Sequence, residues 1–424
     1  MANENVLLDS YCAQGTDINA FYDNLQQMAD RTYISSVYGR DTAFLSAYSG
    51  NNLKGYSGTD ISQTIPFRYI SQEAVRNFQS NNTMINIGFL KKGTYNDDVV
   101  AETIDKTGLV ICVDKLDKDV YVTPEKMFVS TNCLKTITQR AAISGNTIFG
   151  EKSVFRDMLL ASSIFNRNER MKFVYRKAGR TTKLFSVFSE YYPRSKQDIL
   201  ITAMKHPDFP FKDFVFKEFK ITNFLTQAVF VKPDADTDTG IVPGVIILNS
   251  DVGCSYFTVR NVFFINDSYV IQSEESAKHS SSLTSDKMLD MFATARKKLD
   301  MSDFIDKMKS LKEVYIPCCG YTDDEVISIE DIIQKTTDAN AIVKDALKAV
   351  YNAVMSKKCI LDAFDKISGS LYGWQNYSYY DFAKKIIEAS SMFDELDSST
   401  QLSFHRDAFL APDVLTELIK KYKK

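Results

Sequence analysis

Five cations fall between residues 172 and 183 of this sequence: Lys172, Arg176, Lys177, Arg180 and Lys183. The chemistry open to them is electrostatic, because a protein cation that neutralises a phosphate releases the counterion held there. A two-stranded ribbon carrying such charges could track a phosphate polymer, and nearby aromatics could stack on unpaired bases. Lys172 and Arg176 are an even number of residues apart and share one strand face, whereas Phe173 and Tyr175 take the other. The same charges also suit a solvated hairpin whose edge must not pair with a neighbour.

The surrounding charge is uneven. Residues 151–232 carry 16 Lys and Arg against 8 Asp and Glu, in a chain of net charge −3. Residues 1–150 carry 13 against 16, and residues 233–424 carry 22 against 30. The molecule is therefore no polycation, and affinity for a polyanion has to come from a local patch. Opposite charge on the middle and C-terminal segments also suits contacts between subunits of a homo-oligomer.

Other chemistries have weaker signals. Residues 145–153, GNTIFGEKS, approach a phosphate-binding loop, but Glu151 stands between Gly150 and Lys152 where the phosphates would lie, so a helix-entry turn is expected. The acidic run at 234–238 would need Gly at Thr239 and Glu at Val245 to be a calcium loop, and reads as a solvated turn. The seven cysteines include no CxxC and the three histidines (His206, His279, His405) are isolated, so no zinc site is expected. Adjacent Cys318 and Cys319 could be a redox pair, but buried small hydrophobes in a reducing compartment are the expected reading. Asp251 and Glu190 could form a carboxylate pair for metal-assisted hydrolysis, but no GxSxG, HExxH or GxGxxG accompanies them. The expectation is a non-enzyme with no catalytic residue, cofactor or metal.

The elements that position these residues centre on Gly244–Ile265. There an apolar run, a polar corner (Asn249, Ser250, Asp251, Gly253) and a β-branched, aromatic run read as strand, bend and returning strand. Strands at 171–175 and 184–189 turn around Ala178-Gly179-Arg180, and further strands are expected at 84–90, 108–113, 119–122, 214–221 and 224–232. Thr123-Pro124-Glu125 reads as a turn. Helices are expected at 17–30 (capped by Thr16), 71–78 (capped by Ser71), 154–165 (burying Val154, Phe155, Met158, Leu159 and Ser162) and 196–205 (capped through Ser195). Residues 34–64, rich in Ser, Gly, Tyr and Asn, read as a surface loop or arm. After a polar linker at 273–285 the period becomes helical, at 286–299, 302–312, 324–335, 338–356, 378–391 and 413–422.

The fold class is therefore α+β, a mainly antiparallel sheet with interspersed helices and then a mostly helical C-terminal part. The expected division is 1–150, a basic β-rich domain at 151–272, the linker, and 286–424. No apolar segment approaches the ~18 residues of a membrane span, which points to the cytoplasm or to a particle assembled there.

On LFSVFSEYYPRSKQDIL, with Ser189, Tyr192 and Asp198, and on GVIILNSDVGCSYFTV, with Gly244, Asn249, Ser250, Asp251 and Gly253, the chain resembles the phage- and plasmid-borne family catalogued as domain of unknown function 932. The resemblance covers residues 170–265, with a weaker helical echo at 340–390. It departs where the family shows an Arg and Cys-x-Asn-Gly, since this chain has NVFFINDSYV. It implies a mobile-element gene product. With the charge map, that leads to a protein that binds single-stranded DNA and anneals strands as an oligomer. A structural or assembly protein of the virus particle is the alternative, and a nucleotide-binding enzyme using 145–153 the second.

Overall fold

The computed structural model describes residues 4–47, 63–79, 86–116, 119–141, 153–166, 170–190, 197–233, 236, 238–266, 268–278, 283–300, 302–312, 315–317 and 376–378, with isolated positions between 380 and 416. The architecture is α+β, built on two large sheets.

The six-stranded sheet is antiparallel throughout. Its order is β1 (Cys12–Gly15), β10 (Val215–Thr222), β11 (Thr226–Val231), β12 (Ile241–Asn249), β13 (Phe257–Ile265) and β14 (Ser268–Ala277). The eight-stranded sheet runs β2 (Thr32–Tyr38), β8 (Arg170–Ala178), β9 (Thr181–Ser189), β7 (Asp119–Val129), β6 (Leu109–Leu116), β3 (Thr42–Ala47), β4 (Thr64–Ile70) and β5 (Asn86–Lys91). Only its β7–β9 pairing is parallel. The basic hairpin β8–β9 thus belongs with the N-terminal strands, and the boundary expected near 150 falls inside this sheet.

All nine residues of β13 are buried, as its apolar run requires. Below the six-stranded sheet, α1 (Ile18–Arg31), α6 (Asp198–Met204) and α7 (Ser285–Lys298) enclose a core rich in phenylalanine that includes Phe209, Phe211, Phe257 and Phe292. On the other sheet α4 (Thr131–Ala141) and α5 (Val154–Phe165) cover one face. Val6, Leu7 and α3 (Asp97–Lys106) pack on the opposite face.

Several expectations need correction. Of the arm expected at 34–64, residues 34–47 run through β2 and β3, because Val37, Phe44 and Leu45 are buried, and 48–62 lie outside the described residues. Pro124 lies inside β7 and not in a turn; the β6–β7 ladder shifts register between Val113 and Lys115, which leaves room for a residue without N–H. The linker expected from 273 begins later, since β14 continues to Ala277 and Glu274 is bonded to Arg260 at 2.7 Å. Asp17, not Thr16, caps α1 by accepting from Asn19 N–H. On α5 the buried face holds Arg156, Asp157, Leu160, Ala161 and Ile164, while Phe155 and Leu159 are exposed. An Arg156–Asp157 ion pair inside the core disguises that face as polar.

Ser71 and Ser153 accept from Ala74 N–H and Arg156 N–H at the starts of α2 (Gln72–Gln79) and α5. Helices α7 and α8 (Ser302–Leu311) match the expected spans at 286–299 and 302–312. The helices expected at 324–335 and 338–356 lie outside the described residues, as does most of those at 378–391 and 413–422.

Candidate functional site

Hairpin β8–β9 closes at Gly179, whose φ of 59° suits a residue without a side chain. A bulge leaves Phe185 opposite no single residue of β8. On the outer side, β2 pairs Thr32 with Arg176, Ile34 with Val174, Ser36 with Lys172 and Tyr38 with Arg170. Lys172 and Arg176 therefore share a sheet face, as their spacing requires. That face is not an outward ribbon: half of it is covered.

At the covered end Arg176 is fully buried. Its guanidinium donates to both Asp251 carboxylate oxygens at 2.9 Å, to Asn223 Oδ1 at 2.8 Å, to the Asn223 carbonyl at 3.1 Å and to Thr32 Oγ1 at 3.1 Å. The Phe185 ring lies 4.5 Å from it. Lys183, also fully buried, pairs with Asp9 at 2.7 Å and makes a short contact with Glu102. Asp9 accepts from Thr131 N–H and donates its own N–H to Glu102. Burial alone would raise the Glu102 carboxyl, yet Lys183, the Asp9 N–H and Lys106 hold it below its ordinary range.

The five expected contact residues are accordingly dispersed. Arg176 and Lys183 are internal and neutralised by the protein's own carboxylates, a correction to their placement on a binding ribbon. Lys177 is half-buried on the opposite sheet face, 3.3 Å from Glu125. Arg180 is exposed in the turn, and Lys172 is half-buried at the other end of the hairpin. Phe173 and Tyr175 are buried, so neither offers a ring to a base.

The polar corner after β12 is where the two sheets meet. Asn249 donates to Gln197 Oε1 at 2.7 Å, and Ser250 Oγ accepts from Cys254 N–H at 3.0 Å. Gly253 has a φ of 82°. Asn132 Nδ2 donates to the carbonyls of Phe185 and Val252, tying α4 to both partners. The corner is thus a turn, as its residue types suggest, with Asp251 aimed inward at Arg176. Glu190 accepts from Ser36 instead, so the two carboxylates considered as a pair have separate partners.

Gly244 has a steric account. A Cβ there would lie 2.6 Å from the Phe264 ring and 2.7 Å from the Phe230 carbonyl oxygen. Gly244→Ala is expected to lower stability by about 1–3 kcal/mol through overpacking, read as a lower urea midpoint at unchanged slope. An unaltered midpoint would contradict this account.

Outside the corner lies a half-open cleft of about 350 Å³. Gly253, Ser255 and Tyr256 form one wall; Thr136, Gln139 and Arg140 of α4 and Val187, Phe188 and Ser189 of β9 form the other, with Lys278 at the rim. Tyr256 is 51% exposed, and the Lys278 ammonium lies 5.8 Å from its ring. Cys254, beside Gly253, is exposed.

Comparison with family models, curated proteins and solved structures gives no match.

Among the described residues no group of three or more His, Cys, Asp or Glu could hold a metal ion, and no helix is long and apolar enough to cross a membrane. Of the acidic run at 234–238, Asp236 Oδ1 accepts from the Asp238 and Thr239 N–H groups and its carboxylate lies 2.7 Å from Lys309, while 234, 235 and 237 lie outside the described residues. Residues 145–152 and Tyr192 lie outside the described residues. Sequence reasoning missed Arg140, Tyr256 and Lys278, which come from three separated segments. The one available signal was an aromatic placed directly between the corner and β13.

Proposed function

We propose that this chain is a non-enzymatic binding protein for single-stranded nucleic acid, acting through the cleft beside the Asn249–Gly253 corner and not through the tip of the hairpin. The observation that carries this reading is the convergence of Arg140, Lys278 and the exposed ring of Tyr256 on one cleft. Two cations suit phosphates, an exposed ring suits a base, and Ser, Thr and Gln side chains supply hydrogen bonds without demanding one sequence. The resemblance to domain of unknown function 932 supports placing such a protein among mobile-element gene products.

The positive middle segment meets acidic partners within the same chain, at Arg176–Asp251, Lys183–Asp9 and Lys183–Glu102, so segment charge by itself favours neither nucleic-acid binding nor particle assembly.

Fluorescence anisotropy with a labelled oligodeoxynucleotide tests the proposal. Wild-type affinity should fall between about 50 and 200 mM salt with a log–log slope near −1.4, about −0.7 for each of two neutralised phosphates. Tyr256→Ala should weaken binding by about 5–150-fold, the range of one lost base stack, while Arg180→Gln should bind as wild type. Equal loss in Arg180→Gln, or wild-type affinity in both Tyr256→Ala and Lys278→Gln, sinks the cleft reading.

A further inference from the structure

We infer that the cleft holds the end of a strand and not its middle: one terminal nucleotide, its base on Tyr256 and its terminal phosphomonoester between Lys278 and Lys135. The inference rests on the cleft reading and narrows its ligand.

Size sets the first limit. A cleft of about 350 Å³ stands at the low end of the about 300–1,000 Å³ of small-ligand pockets, room for one nucleotide and not for a run of them. Rings set the second. Grooves that track a strand stack successive bases on successive aromatics. Among the described residues the exposed aromatics are Tyr33, Phe155 and Tyr256, and of these Tyr256 alone borders the cleft. The inner wall is closed: Val187 is buried, and Phe188 packs against Val174, Phe185 and Val252.

Charge sets the third. Among the described residues no carboxylate lines the cleft, whereas Arg140 and Lys278 do. Lys135 is exposed one helical turn before the lining residue Gln139, on the same side of α4. Glu190, next to Ser189, is engaged by Ser36. Three cations exceed the charge of about one on an internal phosphodiester. A terminal phosphomonoester, with a charge of about −1.5 to −2 at neutral pH and three strong acceptor oxygens, matches them better. The diester that joins the end nucleotide to the next is then the second phosphate neutralised there.

Anisotropy on wild type tests this with oligodeoxynucleotides of about 4 and about 16 residues, each with hydroxyl or phosphorylated ends, together with a longer closed circle that has no end. The phosphorylated strand should bind about tenfold or more tighter than the hydroxyl-ended one, the worth of one added hydrogen bond to a charged group. The short phosphorylated strand should match the long one, and the circle should bind no tighter than hydroxyl ends. The double variant Lys135→Gln/Lys278→Gln, its fold confirmed by circular dichroism, should lose the preference for phosphate. A circle held as tightly as the phosphorylated strand, or equal affinity for both kinds of end, would overturn the strand-end inference and leave the cleft reading standing. Competition by dTMP on equal terms with the phosphorylated strand would overturn it as well and make the ligand a free nucleotide. If no strand binds at low salt, both fall.

Discussion

Asp251→Ala is expected to destabilise the protein by about 3–5 kcal/mol, because it leaves Arg176 charged and fully buried with only Asn223 and Thr32 for partners. The pair itself need not be net stabilising. Desolvating two ions costs several kcal/mol each, and an apolar pair of similar volume often does as well. The double variant Arg176→Met/Asp251→Leu should accordingly recover most of the loss, and Asp251→Asn should fall between. Urea denaturation of the four proteins gives the comparison. A deficit under about 1 kcal/mol for Asp251→Ala would mean that water or another group reaches Arg176, and the account of the junction would fail.

Lys183→Met should cost a similar about 3–5 kcal/mol at neutral pH, since it strands Asp9 and Glu102 around an apolar side chain. Its pH dependence separates it from ordinary core damage. In the wild-type fold Glu102 is held below its usual range, so its contribution is present above the unfolded value of about 4.3 and is lost as pH falls through the folded value. Without Lys183 the desolvation of Glu102 is opposed mainly by Lys106 and the Asp9 N–H, and its carboxyl should rise. The stability gap between wild type and variant should then shrink as pH is lowered from 7 towards 4. A gap that stays constant with pH would show that Lys183 acts through its hydrocarbon stem alone.

Much of the fold was legible because it is written locally. The hairpin announces itself through Gly179 between two β-rich runs, and β12 and β13 through apolar runs around a corner of Asn, Ser, Asp and Gly. Caps at Ser71 and Ser153 follow from one side chain and the N–H groups three residues on. What local reading could not supply is the partner of a charge. Arg176 looked like a surface cation because Asp251 and Asn223 lie 75 and 47 residues along the chain, and nothing near Lys183 points to Asp9. The same blindness misplaced the buried face of α5, where Arg156 bonds the Thr107 carbonyl from inside the core. The cleft was invisible for a related reason: its walls come from α4, β9 and the segment between β12 and β13, and only pairing brings them together.

Residues 6–9 close the junction from a great distance. Asn223 Nδ2 donates to the carbonyls of Val6 and Leu8, and Asp9 completes the Lys183 pair. On the ribosome, this segment emerges long before its partners do. At about 5–20 residues per second, some ten to fifty seconds of translation separate Val6 from Asp251. Val6 and Leu7 can bury once the strands up to Ala178 have been made, but Arg176 emerges with Asn223 and Asp251 still to come. The eight-stranded sheet can assemble first, but the seam between the sheets has to form last, so a chain stalled before residue 251 should be a client for chaperones rather than a half-finished native domain.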